Sequence, residues 1–420
     1  MPPLRPPPNA VEPALVVILG GVCAALHVGK LAPAIATLQA ALGLTLVEAG
    51  FLLSAVQAAG MTLGLVFGVV ADGLGGRRSM ALGLALLATA SAGGALADGV
   101  AQLMALRVVE GFGFLLVVLP APGLVRRLVP AGRVSAMLGV WGAYMPLATA
   151  LVLLLGPLFI GTFGWRSWWA ALAAVTAAMA VWLLHSVPRP AQLDGLAAAP
   201  HGARGLGRLR DTLAAPGPWL VATVFAMYSG QWLAVIGFLP AIYTQAGVAG
   251  AATGVLTAGV AAANIVGNVA SGRLLQRGVA PGVLLTTGFV TMAFAALAAF
   301  AAVSGAPALP PVARYAALLL FSAVGGLIPA TLFALAVRVA PGEGAMASTI
   351  GWVQQWSSLG QFAGPPLVAA VASAAGGWQL TGLATAGCSL LGLALSALLV
   401  RRLPALPRTE ARAARVSGGR

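Results

Sequence analysis

Residues 14–37 read ALVVILGGVCAALHVGKLAPAIAT, an unbroken apolar run interrupted only by His27 and Lys30. An α-helix rises about 1.5 Å per residue, so about 20 such residues cross the ~30 Å hydrocarbon core of a bilayer. This stretch is long enough to span a membrane, and the rest of the chain is made of similar material. Of the 420 residues 60% are hydrophobic and only 8% charged, with a mean hydropathy of +0.97. Soluble domains carry about 25% charged residues because their surfaces face water. An ordinary soluble enzyme, a disordered chain and a disulfide scaffold are therefore excluded. The proline-rich start, MPPLRPPPNAVEP, lacks a small-residue cleavage site after a short apolar core, so the first span is expected to be retained rather than removed as a signal peptide.

Further apolar spans follow near residues 48–70, 79–97, 101–122, 135–161, 167–187, 217–243, 253–271, 281–303, 312–337, 345–373 and 378–400. With no water in the hydrocarbon, a spanning segment must satisfy its own backbone hydrogen bonds, and these spans are too long for barrel strands. The predicted fold is an all-α membrane protein with twelve transmembrane helices. The net charge of +14 does not mark a nucleic-acid binder, because the basic residues are dispersed through short gaps rather than clustered on one solvated face. With the N-terminus placed inside, nineteen of the 23 Lys and Arg residues fall on the inner side; only Arg166 falls on the outer, and Lys30, Arg107 and Arg314 lie within spans. That asymmetry predicts both termini in the cytoplasm of a bacterial inner membrane.

The end of the first span, Pro33-Ala34-Ile35-Ala36-Thr37, recurs as Pro240-Ala241-Ile242-Tyr243-Thr244. Arg107 recurs as Arg314, Pro130 as Pro341, Trp141 as Trp352 and Gly156-Pro157 as Gly364-Pro365, all in order and at nearly constant offset. The chain is thus predicted to be two pseudo-symmetric six-helix bundles, residues 1–187 and 217–403, joined by a linker at 188–216 and followed by a basic tail at 404–420. Internal repeats of this kind imply alternating access, with substrate near mid-membrane between the halves.

After the second span stands Gly68-Val69-Val70-Ala71-Asp72-Gly73-Leu74-Gly75-Gly76-Arg77-Arg78, and the fourth carries Arg107-Val108-Val109-Glu110-Gly111. On these segments the chain resembles the major facilitator superfamily, over nearly its whole length. The resemblance implies that Gly68, Asp72, Gly75, Arg77 and Arg78 form a cytoplasmic latch stabilising one end state, and that Arg107 takes part in proton coupling. The family's antiporter signature GxxxGPxxGG is matched poorly: Gly156, Pro157 and Gly161 are present, but Val152 and Ile160 stand at glycine positions. The segments HVGKLAPAI and GWRSWW are similar to the branch named for cyanate and nitroimidazole transport.

Lys30 is the only lysine, against 22 arginines, and it lies inside a span. A charge at a helix centre costs about 2.5–3.5 kcal/mol on insertion scales, so it should face a cleft or a partner; a compact ammonium suits a small anion. His27, one turn away, could titrate near neutral pH. Glu110 is the only carboxylate well inside a span and is three residues from Arg107, so Glu110, Arg107 and His27 are the proton-coupling candidates. Gln57, Trp141, Tyr144, Gln231, Trp232, Asn264, Trp352, Gln355 and Trp356 join Lys30 and His27 as candidate cleft residues, because small-ligand pockets combine aromatic walls with a few placed polar groups. No GxxxxGK[ST] loop, HExxH, GxSxG or Cys/His metal spacing is present, so no cofactor, metal or enzymatic chemistry is expected. The sequence predicts a secondary transporter of a small organic or inorganic anion, coupled to protons and sufficient as a monomer. Drug efflux and a transport-fold sensor are the alternatives.

Overall fold

The computed structural model describes residues 12–64, 74–130, 133–188, 205–248, 250–303, 306–342 and 345–403. Nine helices among them are long and apolar enough to cross a membrane. In chain order α1 is Pro13–Leu42, α2 Leu46–Gly64 and α4 Val100–Leu128; α7 is Pro216–Gln245, α8 Ala251–Gln276, α9 Pro281–Phe300, α10 Pro311–Val339 and α12 Trp378–Arg402. The ninth, Met137–Ser186, counts twice. It breaks at Gly164, whose φ of 80° is easily reached only without a side chain, so α5 and α6 are joined by a single-residue turn where the sequence predicts a short connector. Two less apolar helices complete twelve: α3, Gly76–Ala95, which carries Arg77 and Arg78 in its first turn, and α11, Met346–Ala374, which contains Pro365 and Pro366. A two-residue β-pair, Ala302–Val303 with Ala306–Pro307, closes the turn between α9 and α10.

Proline and glycine decide where spans bend. Pro33 interrupts α1 with a 3-10 turn at Ala32–Ala34, and α10 changes course at Gly325 and Gly326. The predicted linker is not all connector. A helix at Gly205–Ala214 is tied to the second bundle by the Thr212–Ser348 hydroxyl pair at 2.7 Å and by the Trp219 indole donating to the Leu213 carbonyl at 2.9 Å. The basic tail 404–420 lies outside the described residues.

Twelve crossings put Pro13 and Arg402 on one side, the terminal side. Among the described residues the bundles meet where the outer half of α1 packs on α7, α2 on α11 and α5 on α8. Small residues allow the approach. A Cβ built on Gly254 would lie 2.9 Å from the Leu154 carbonyl oxygen, and one on Gly50 would lie 3.0 Å from that of Pro365. The α2–α11 seam continues inward through a Gln57–Gln361 side-chain hydrogen bond of 3.0 Å to Gln355, which donates to the Met61 carbonyl at 2.9 Å.

Candidate functional site

The first bundle holds a closed ionic cluster at mid-depth. Glu110 accepts Lys30 on Oε1 and Arg107 on Oε2 at 2.7 Å, so both carboxylate oxygens are engaged. The Lys30 ammonium has two further acceptors, Ser91 Oγ at 2.8 Å and His27 Nδ1 at 3.2 Å, and it lies 4.9 Å from the Trp169 ring centroid. An ammonium has three donor hydrogens, and here each has a partner. Arg107 reaches the carbonyls of Leu52 and Leu53 on α2 and of His27 and Val28 on α1. All four ionisable residues are at most 1% exposed.

The same network fixes the histidine tautomer. Thr176 Oγ donates to the Leu172 carbonyl at 2.7 Å and therefore accepts from His27 Nε2 at 2.8 Å. With the proton on Nε2, Nδ1 is the acceptor for Lys30. Glu110 Oε1 also lies 3.6 Å from Nδ1, but the closer ammonium needs that lone pair. His27 is neutral, and the cluster carries two cations against one carboxylate. No other carboxylate lies in the interior of a span among the described residues.

The sequence leaves Lys30 to face either a cleft or a partner, and the structure gives it partners. Its ammonium turns into the first bundle, among α1, α3, α4 and α6, where pairing lowers the cost of a charge in the membrane. Gln231 accepts from Ser389 at 2.8 Å and donates to the Met227 carbonyl, so it joins α7 to α12 inside the second bundle instead of lining a cleft. Trp141 stacks on Tyr144, with ring centroids 4.4 Å apart, and is pressed against Gly21, a packing role. Trp232 donates to Ser322 Oγ at 3.2 Å, and Asn264 donates to the Tyr228 hydroxyl and the Ser322 carbonyl, both at 2.9 Å.

Gln57 and Gln355 lie at the α2–α11 junction, and Trp352 and Trp356 pack on Trp219 of α7. Of the latch residues, Gly68 and Asp72 lie outside the described residues. Gly75 precedes α3 at φ 80°; Arg78 is exposed; and Arg77 donates to the Val187 carbonyl at 2.8 Å and to that of Leu184, clasping the last turn of α6. The glycine missing from the antiporter signature at Val152 is supplied by the neighbouring helix, since Gly29 leaves room for the Val152 side chain.

Sequence reasoning missed Ser91, Trp169 and Thr176, which complete the ionic cluster from α3 and α6, and Tyr228 and Trp219 on α7. An isolated serine or threonine in an apolar span gives no periodic signal. Trp219, at the start of a span, reads as an interfacial anchor.

Two helical bundles meeting at these seams, with a buried ionic cluster at mid-depth in one of them, are the architecture of a membrane carrier. Residues 17–365 match the Major Facilitator Superfamily, and the chain belongs to that family. It is a multi-pass membrane protein. It is 32% identical over 102 residues to an MFS-type transporter of Mycobacterium tuberculosis, and 30% identical over 100 residues to the tetracenomycin C resistance and export protein of Streptomyces glaucescens; each match covers 24% of this chain. The chain spans 18% and 19% of the length of these relatives. In fold it is similar to a bacterial homologue of the human lysosomal transporter Spinster, in an inward-facing and unoccupied conformation, with a TM-score of 0.76, 15% identity and coverage of 95% of this chain and 98% of that one. It is also similar to a D-xylose–proton symporter, with a TM-score of 0.69, 16% identity and coverage of 93% and 97%. These relatives do not support the cyanate and nitroimidazole branch suggested by HVGKLAPAI and GWRSWW.

Proposed function

We propose that this transporter moves a small anion across a bacterial inner membrane by alternating access, coupled to protons, with both termini cytoplasmic and the monomer sufficient. The observation that carries this is the charge imbalance of the buried cluster: Lys30 and Arg107 against Glu110 alone, with His27 neutral. Protonating Glu110 releases the Lys30 ammonium and raises the buried charge from one to two. An anion entering beside Lys30 restores the balance. Proton and anion therefore favour each other's binding, and this reciprocity is the basis of symport. Lys30 meets the anion only after its present partners let go, so the cluster acts as a coupling device that opens toward the cleft. Arg107, held by four backbone carbonyls, stays in place as the fixed charge.

Proteoliposome uptake of small carboxylates and of cyanate, with and without an imposed pH gradient, tests this. The expected result is accumulation that follows the gradient, is abolished in Lys30→Ala, and is reduced in Glu110→Gln to exchange without accumulation. Uptake unchanged in both variants overturns it. A second reading, export of a drug-like molecule, is favoured by the similarity to the tetracenomycin C export protein and predicts efflux of neutral or cationic drugs that does not depend on Lys30.

A further inference from the structure

Trp219 on α7 and Trp352 and Trp356 on α11 form a corner of three indoles near the terminal side. Their centroids are 4.8 Å (219–352), 5.6 Å (219–356) and 6.1 Å (352–356) apart, with interplanar angles of 73°, 66° and 69°. Such edge-to-face contacts hold the rings as rigid walls. The Trp219 indole N–H is tied to the linker helix through the Leu213 carbonyl, and the side chain is 38% exposed, so this wall of the corner is braced on one edge and partly exposed. The side chain of Gln355, on the same stretch of α11, reaches across to the Met61 carbonyl of α2. The corner therefore stands beside the line where the two bundles meet.

Two polar atoms here are unsatisfied. The Trp352 indole N–H is buried without an acceptor, and one turn earlier, on the same helical face, the Thr349 hydroxyl is buried without any partner. A buried donor left unpaired costs about 1–3 kcal/mol, and native structures keep few of them without a reason. A partner that arrives and leaves is such a reason.

We infer that Trp219, Trp352 and Trp356 bind a flat, conjugated ring system, with the Trp352 N–H donating to an oxygen acceptor on that ligand. Combined with the anion assignment, on which this last clause rests, the substrate class narrows to aromatic or similarly conjugated carboxylates, which would meet this corner near the terminal side and Lys30 at a separate step of transport. Aromatic faces stack on one another and gain more from a planar ring than from a puckered one.

The test is isothermal titration of the purified full-length protein with three probes: 2-naphthoate, its saturated counterpart decahydronaphthalene-2-carboxylate, and neutral 2-naphthamide. The flat carboxylate is expected to bind about tenfold tighter than the saturated one. Trp352→Phe, which keeps a ring and removes the donor, should weaken 2-naphthoate by about tenfold, the usual scale of one hydrogen bond to a charged acceptor. Trp219→Leu should erase most of the preference for the flat probe. If Trp352→Phe does not give a monodisperse protein, the loss of preference in Trp219→Leu decides the test. Equal binding of flat and saturated carboxylates, no effect of the donor-removing variant, or no binding of any probe overturns the inference. If 2-naphthamide binds as well as 2-naphthoate while the preference for flat rings persists, the ring site stands and the anion assignment falls.

Discussion

The side-chain amide of Gln57 on α2 donates to the side-chain carbonyl of Gln361 on α11 across 3.0 Å, joining one bundle to the other. Both are buried, and any movement that parts the far ends of the bundles must break this bond. Removing a neutral hydrogen bond of this kind shifts an equilibrium by about 0.5–1.5 kcal/mol, or up to about tenfold. Gln57→Ala should therefore raise the population open on the far side. Thiol labelling of a Cys placed at Ala241, which is buried on the far half of α7 (Ala241→Cys, in a background with Cys23 and Cys388 replaced), should quicken by a corresponding factor; an unchanged rate means that this bond is not part of the gate.

Contact at the α5–α8 seam is between a glycine and backbone, and the Leu154 carbonyl cannot move aside as a side chain could. Gly254→Ala places a methyl group 2.9 Å from that oxygen. It is expected to lengthen the distance between the far ends of α5 and α8 in spin-label measurements. A distribution identical to that of the parent protein would mean that the helices shift elsewhere to make room.

Removing one partner of a buried ion pair is strongly destabilising, by about 3–5 kcal/mol, because the other charge is left without compensation. The cluster makes the loss unequal. Lys30→Met leaves Arg107 paired with Glu110 and no excess charge, whereas Glu110→Gln leaves Lys30 and Arg107 both unpaired. Melting temperatures in detergent should rank wild type above or near Lys30→Met, and both well above Glu110→Gln. Equal losses in the two variants contradict the net positive charge assigned here.

How much of this was legible from residues alone differs between the two bundles. The ionic cluster was half visible: Lys30, Arg107 and Glu110 stand out because a charge in an apolar span is costly, and the spacing of the last two predicts their pairing. Ser91 and Thr176, which complete it, are small hydroxyl residues that cost little in a helix and match many alternatives. The direction Lys30 takes was not legible either, since α1 offers one face to the cleft and another to α3 and α6, and only packing decides between them. In the second bundle, Gln231 and Asn264 were visible as polar residues, but an amide that joins helices and an amide that contacts substrate look identical in a sequence. The break between α5 and α6 was legible as the gap between spans 135–161 and 167–187, but its reduction to the single residue Gly164 was not, because a glycine that turns the chain alone leaves no longer connector to read.

Thr176 holds the His27 tautomer by accepting from Nε2 while donating to Leu172. Thr176→Val removes the acceptor, and a buried N–H left unpaired costs about 1–3 kcal/mol. The imidazole is then expected to move its proton to Nδ1 or to turn, and Lys30 loses one of its three acceptors. The nitrogen chemical shifts of His27 in selectively labelled protein should exchange their pattern, and any gradient-driven transport should fall; unaltered shifts would mean that another contact sets the ring.

A chain with a single lysine whose amine is enclosed on every side contains its own chemical reporter. Reagents that acylate free amines reach this side chain only when Glu110, Ser91 and His27 release it. The rate of that single modification, followed by mass spectrometry in the native protein, is therefore a clock for the opening of the cluster, with no label to introduce and no second lysine to remove.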